Sequence, residues 1–171
     1  LVTDSNYVQT NKNRVFQYLT CPSSSITRRN LLTNYVNNSS QPARAVGYYS
    51  DYGYNYFNLG TSYRYRGSEN TPPAKLSQVK NPSMTIVATE AAVSNTPTFG
   101  FHLVRDTVSA YTYYKMTPRH NSPGALIGKS SVILWADGHA SLMSFSDPNN
   151  PYVETGSSVA WDAPGSMWDR N

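Results

Sequence analysis

The stretch SSVILWADGHASLM, residues 130–143, constrains the fold of this chain more than any other part of it. Five apolar residues, Val132–Ala136, run into Asp137-Gly138, and a second strand-like run follows His139. Asp-Gly is a preferred pair for a two-residue type I′ hairpin turn, in which both central residues take φ > 0. That turn pairs Ala136 with His139, Leu134 with Ser141 and Val132 with Met143 on one face. Ile133, Trp135 and Leu142 fall on the other. Apolar groups on both faces predict a strand inside the fold, not at its rim, with an antiparallel sheet built around this hairpin.

Length and composition set the frame for that sheet. A chain of 171 residues is long enough to bury a core as one domain. Charged residues make up 14% and hydrophobic ones 39%, with 14 tyrosines, a balance opposite to that of disordered chains. Tyr, Thr and Asn in such numbers suit strands and turns. The net charge is +4, yet the basic residues concentrate only at Arg28-Arg29 and in Tyr63-Arg64-Tyr65-Arg66. Nucleic-acid binding calls for a basic stripe, so no nucleic-acid partner is expected. Cys21 is the single cysteine, which rules out an intrachain disulfide and a Cys-based metal cluster. No run approaches the roughly 20 apolar residues of a membrane span.

Along the chain, residues 1–20 carry a short apolar tip (Val15, Phe16, Tyr18, Leu19) that Cys21-Pro22 ends. In SSITRRNLLTNYVNNSS, residues Ile26, Leu31, Leu32, Tyr35 and Val36 suit one face of a helix. The Tyr, Gly and Asn of residues 45–66 read as short strands and turns, and Pro72-Pro73 breaks the chain. An Asn81-Pro82 turn precedes a strand over Met84–Thr89, and residues 98–116 supply one or two more, the better at SAYTYYKM. The domain is 1–171, with 147–171 as an irregular tail holding Trp161 and Trp168.

Several motifs dissolve on inspection. GALIGKS, Gly124–Ser130, imitates a phosphate-binding loop but is one residue short between its glycines and leads into a strand pattern instead of a helix. Ser77-x-x-Lys80 lacks the companion motifs of penicillin-binding enzymes. A Ser–His–Asp triad could draw on His102, His120 or His139 with Asp137, but no nucleophile elbow is present. Asp147, Asn149, Asn150 and Glu154 offer calcium-type oxygens without the central Gly of an EF-hand loop. His120, Asp137 and His139 could hold a metal if the 117–124 loop folds over the hairpin. The plainer reading gives Asp137 a turn role and the histidines backbone hydrogen bonds, so neither a metal nor a cofactor is expected.

Four pieces occur in a telling order: FQYLTCPSS near the start, YGYNYF at 52–57, NPSMTIVATEA at 81–91, and PRHN…VILWADGHASLM at 118–143. Together they resemble bacterial pseudopilin-like proteins that carry a prepilin-type processing-associated H-X9-DG domain. The resemblance covers residues 16 to about 145. Its motif residues fall on His120 and Asp137-Gly138, flanked by Arg119 and His139. Sixteen residues, 121–136, separate His120 from Asp137 where the family has nine, and SPGALIGKSS supplies an extension of seven.

The resemblance implies an α+β pseudopilin-like head with an antiparallel β-sheet, little helix and long irregular loops. It implies a precursor anchored in the inner membrane by an N-terminal helix, with this chain as the periplasmic or extracellular head. The expected work is structural and non-enzymatic: contact with other pseudopilin subunits, and with exported protein cargo, in a type II secretion or type IV pilus-like assembly. Within that reading His120, Asp137, Gly138 and His139 are structural turn residues, with no catalytic residue. Two other readings stand beside it. One is a secreted carbohydrate-binding module using surface Tyr and Trp, among them Trp161 or Trp168. The other is a metal-dependent envelope hydrolase on His120, Asp137 and His139.

Overall fold

A computed structural model describes residues 20–23, 30, 34, 50–55, 59–60, 73–93, 96–100, 104, 115–121, 127–147 and 166–168. Among these residues six strands form an antiparallel sheet: β1 (Tyr52–Tyr54), β2 (Ile86–Val93), β3 (Thr96–Gly100), β4 (Lys115–Met116), β5 (Ser130–Trp135) and β6 (Ala140–Ser144). Their order is β1-β2-β5-β6, with β3 and β4 also pairing on to β2. Helix is sparse among the described residues, as expected. Short 3₁₀ turns occupy Leu76–Gln78 and Pro82–Met84. Of the helix expected in residues 24–40, the described positions Asn30 and Asn34 are helical, and the rest lies outside the described residues.

β2 organises the sheet. Its sequence, IVATEAAV, opens on β-branched residues and then turns to Ala and Glu. Residues 88–90 pair with β1 on one side, and residues 86–89 pair with β5 on the other. Ala91 and Ala92 then pair with β4. The strand expected over Met84–Thr89 begins later because Pro82 starts a tight turn. There the Met84 N–H donates to the Asn81 carbonyl at 2.9 Å, and the Thr85 hydroxyl donates to the same carbonyl. It also runs further, since pairing on both edges carries Glu90 and the alanines that weak strand propensity would have released.

The hairpin forms where the sequence places it, but its register differs by one. Leu134 pairs with Ala140, Ile133 with Ser141, Val132 with Leu142 and Ser131 with Met143. The loop is three residues long, Ala136-Asp137-Gly138, closed by the Trp135 N–H on the His139 carbonyl at 2.9 Å and the Gly138 N–H on the Trp135 carbonyl at 3.0 Å. Gly138 alone takes a positive φ here, +94°, and Asp137 does not. A three-residue loop needs one left-handed position at its end, whereas the two-residue turn needs two. The side chain of Asp137 serves the loop differently. Its Oδ1 accepts the His139 N–H at 3.1 Å, the local bond of an Asx-turn.

The new register moves the faces. Ser131, Ile133 and Trp135 point inward, while Leu134 (40% exposed) and Leu142 (52%) open outward beside the half-buried Val132. β5 lies between β2 and β6 in hydrogen-bonding order, but its outer face is open, so the expected strand inside the fold is covered on one face only. β6 has no strand beyond it among the described residues.

The core gathers Ile86, Ala91, Val104, Met116, Ile133, Trp135, Phe145 and Trp168, with Met143 and Met167 packed against it. Trp168 comes from the expected irregular tail, yet it is fully buried. Backbone bonds fasten it. The Ile86 N–H donates to the Met167 carbonyl at 2.7 Å, and the buried Asn55 amide donates to the carbonyls of Ile86 and Trp168, both at 2.9 Å. Residues 148–165, including Trp161, lie outside the described residues, as do the apolar tip at 15–19 and most of SAYTYYKM.

Candidate functional site

Three segments far apart in sequence meet at the β1/β2 end of the sheet. Cys21 arrives from the segment 20–23, whose anchor is electrostatic. Its N–H donates to Asp51 Oδ2 at 2.7 Å, and Asp51 Oδ1 lies 3.5 Å from the Nε of Arg119. Asp51 and Arg119 are both buried, and the guanidinium also donates to the Ala91 carbonyl at 3.3 Å. Asp51 directly precedes β1, where the Ser50 hydroxyl caps the strand by accepting the Tyr52 N–H at 3.1 Å. Tyr52 then stands across from Glu90 in the β1–β2 register.

His120 is held just as tightly by its backbone. The N–H groups of Arg119 and His120 both donate to the Ser130 carbonyl, and the Lys129 and Ser130 N–H groups return bonds to the His120 carbonyl. Asn121 takes φ +61° at this corner and donates its amide to the Ser130 hydroxyl at 2.8 Å. Gly128 lies flat on the same backbone. A Cβ there would meet the His120 carbonyl oxygen and come within 2.5 Å of Arg119 C and His120 N. The false phosphate loop thus contains a glycine with a different duty, which is to let the 127–130 segment lie against His120.

The side chains converge on Glu90, which is wholly buried on β2. Its Oε1 is 2.7 Å from His120 Nε2 and accepts the Cys21 thiol at 3.5 Å. Its Oε2 accepts the Val132 N–H at 3.1 Å and a short bond from the Ser131 hydroxyl. Cys21 Sγ sits 3.4 Å from the same His120 Nε2, and His120 Nδ1 meets the Ser23 hydroxyl at 2.9 Å. One ligand atom each from Cys21, Glu90 and His120 therefore lies within 4.8 Å of the others.

Burial shapes the proton chemistry of this cluster. Desolvation pushes the Glu90 carboxyl above the usual carboxylate range, although the Ser131 hydroxyl, His120 and the Val132 N–H all favour its charged form. The Cys21 thiol is also pushed up, first by burial and then by the charge of Glu90. Tyr52 moves the same way, through burial and its neighbours Cys21 and Glu90. A thiol raised in this way is a weak nucleophile at neutral pH. The geometry also departs from a Cys–His–acid relay, in which acid and nucleophile take opposite ring nitrogens. Here Cys21 and Glu90 share Nε2, and a serine occupies Nδ1.

The other residues singled out in the sequence lie elsewhere. Asp137 and His139 pair with each other on the exposed turn, Oδ1 to Nδ1 at 2.6 Å, and the His139 ring stacks on Trp135 at 5.8 Å between centroids. The hydrogen bond from His139 holds the Asp137 carboxyl below its ordinary value. His120 bridges to Ser130, the first residue of β5, while Asp137 lies two residues past its last, Trp135. A six-residue strand separates them by about 17 Å. The convergence of His120, Asp137 and His139 that a metal site on those residues would need does not occur, because β5 stands between them. Trp168, a candidate sugar platform, is in the core. Ser77 lies in an exposed 3₁₀ turn. Asn149, Asn150 and Glu154 are outside the described residues.

Comparison with known proteins finds no matching family model, no matching curated protein and no matching solved structure. The cluster must be read from its own chemistry. Cys21 and Glu90 were missed as site residues, and the available signal was the one charged residue in the strand-like run TIVATEAAV, which a paired strand has to bury and compensate.

Proposed function

We propose that this chain is a structural, non-enzymatic subunit: the pseudopilin-like α+β head of a type II secretion or type IV pilus-like assembly, working by contact with neighbouring subunits and exported protein. One observation supports this reading above the others. The residues matching the family motif, His120 and Asp137-Gly138, bracket β5 and are engaged in holding the sheet. His120 is clamped to β2 through Glu90, and Asp137 shapes the loop through His139. The carbohydrate-binding reading loses Trp168, whose ring is buried.

No helix among the described residues is long and apolar enough to cross a membrane. The pseudopilin-like reading itself calls for an N-terminal anchoring helix. The reading frame before Leu1 tests it. A short basic leader followed by about 20 apolar residues, with a Glu near their start, is the expected result. A cleavable secretory signal ending in small residues would release a free domain and overturn the subunit reading.

A further inference from the structure

We propose that Cys21, Glu90 and His120 form a mononuclear Zn2+ site that pins the segment around residue 21 to the sheet. The site does not depend on the subunit reading and would hold in a free domain as well. Its ligands are the Cys21 thiolate, Glu90 Oε1 and His120 Nε2, with a water completing the coordination.

The distances carry the case. Zinc lies about 2.3 Å from sulfur and about 2.0–2.1 Å from nitrogen or oxygen in tetrahedral sites. Those bonds make the edges of the tetrahedron about 3.6 Å for S···N and S···O, and about 3.3 Å for N···O. The corresponding separations here are 3.4, 3.5 and 2.7 Å. Two edges already match, and the third opens when the ion replaces the hydrogen bond between Glu90 and His120. Binding forms one S–Zn, one N–Zn and one O–Zn bond, and the thiol proton and the proton shared by Nε2 and Oε1 pass to buffer.

Charge points the same way. A thiolate and a carboxylate with a neutral imidazole cancel a divalent ion, so the buried site becomes neutral on binding. The adjacent Asp51 and Arg119 carry opposite charges 3.5 Å apart. Thiolate and imidazole select zinc over magnesium or calcium, which prefer an all-oxygen shell.

Outer contacts have the form of supports for ligands. Ser23 holds the second nitrogen of the His120 ring, and Ser131 with the Val132 N–H holds the second oxygen of Glu90. Asp51 fixes the backbone of Cys21 itself. The His120 side chain, 21% exposed, gives the ion and its water a way in.

The test uses the full chain, stripped with chelator and titrated with Co2+ as a spectroscopic stand-in and then with Zn2+. One Co2+ per chain with a thiolate-to-cobalt charge-transfer band, displaced by one Zn2+, is expected. Cys21→Ser should remove the band. Ser23→Ala, which keeps all three ligands, should weaken binding about 10- to 100-fold. His139→Ala, on the exposed turn, should leave binding unchanged. Saturating Co2+ without a thiolate band in the unaltered protein would overturn the proposal. So would equal affinity in the unaltered protein and Ser23→Ala, or loss of binding in His139→Ala alone.

Discussion

Removing the carboxylate of Asp51 should cost this protein a large part of its stability, by a route that the structure lets one work through. Asp51 sits beneath the 20–23 segment, accepts the Cys21 N–H at 2.7 Å and faces the buried Arg119 guanidinium. In Asp51→Ala the guanidinium loses the balancing charge while staying in a dry environment, which costs about 3–5 kcal/mol. The Cys21 N–H also loses its acceptor. That adds about 1–3 kcal/mol if the amide stays buried, and less if the segment lifts into water. Taking the lifted case, the loss is about 3–5 kcal/mol out of a total near 5–15. For a chain of this size the melting temperature falls by roughly 10 °C. Urea denaturation of Asp51→Ala, Arg119→Met and the double variant measures it. The double variant should be less destabilised than the sum of the singles by about 2 kcal/mol. A loss below about 1 kcal/mol in Asp51→Ala, or simple additivity, would refute the picture of a desolvated pair.

Other expectations follow from the same geometry. Gly138→Ala forces a Cβ on to φ +94° and should cost about 1–2 kcal/mol in chemical denaturation. Asp137→Ala should cost less, because its φ is ordinary; its effect should be present above the normal carboxyl range and vanish as pH falls through the lowered value of Asp137. Gly128→Ala drives a Cβ into the Arg119–His120 backbone, and thermal melts should show a loss of about 1–3 kcal/mol. With its value raised by burial, the Cys21 thiol of the chelator-stripped protein should alkylate slowly at neutral pH when folded and quickly in urea. The same shift gives stability that is complete below the thiol's unfolded value and lost as pH climbs through the folded one, so Cys21→Ser should show a flatter alkaline limb.

What could be read from the sequence was local. Asp137-Gly138 between two apolar runs located the hairpin because that signal lies within a few residues. Its register slipped because one dipeptide serves both a two-residue and a three-residue loop, and the choice depends on packing. The Asp137 and Ala136 N–H groups bind Pro82 and Thr85 carbonyls, outside the hairpin altogether. The β2 strand was half legible: its Ile and Val announce it, but its Glu and Ala are held by partners on both sides. The meeting of the cluster was not legible, although the carboxylate in β2 and His120 each stood out alone, since Cys21 reaches Glu90 across 69 positions and His120 across 99. No pattern of spacing encodes such a meeting. Only the sheet order does.

The fastening of Trp168 has a consequence for the order in which the chain can fold. Asn55 binds the Trp168 carbonyl across 113 positions, and Ile86, the first residue of the central strand, binds Met167. A nascent chain emerging at about 5–20 residues per second can close the hairpin early, since its partners are neighbours. The start of β2 cannot gain its last hydrogen bond, nor the core its largest ring, until residue 168 has left the ribosome. For those seconds the sheet is an open structure with an unfilled centre. Closure is then a single late event, of the long-range and therefore slow kind.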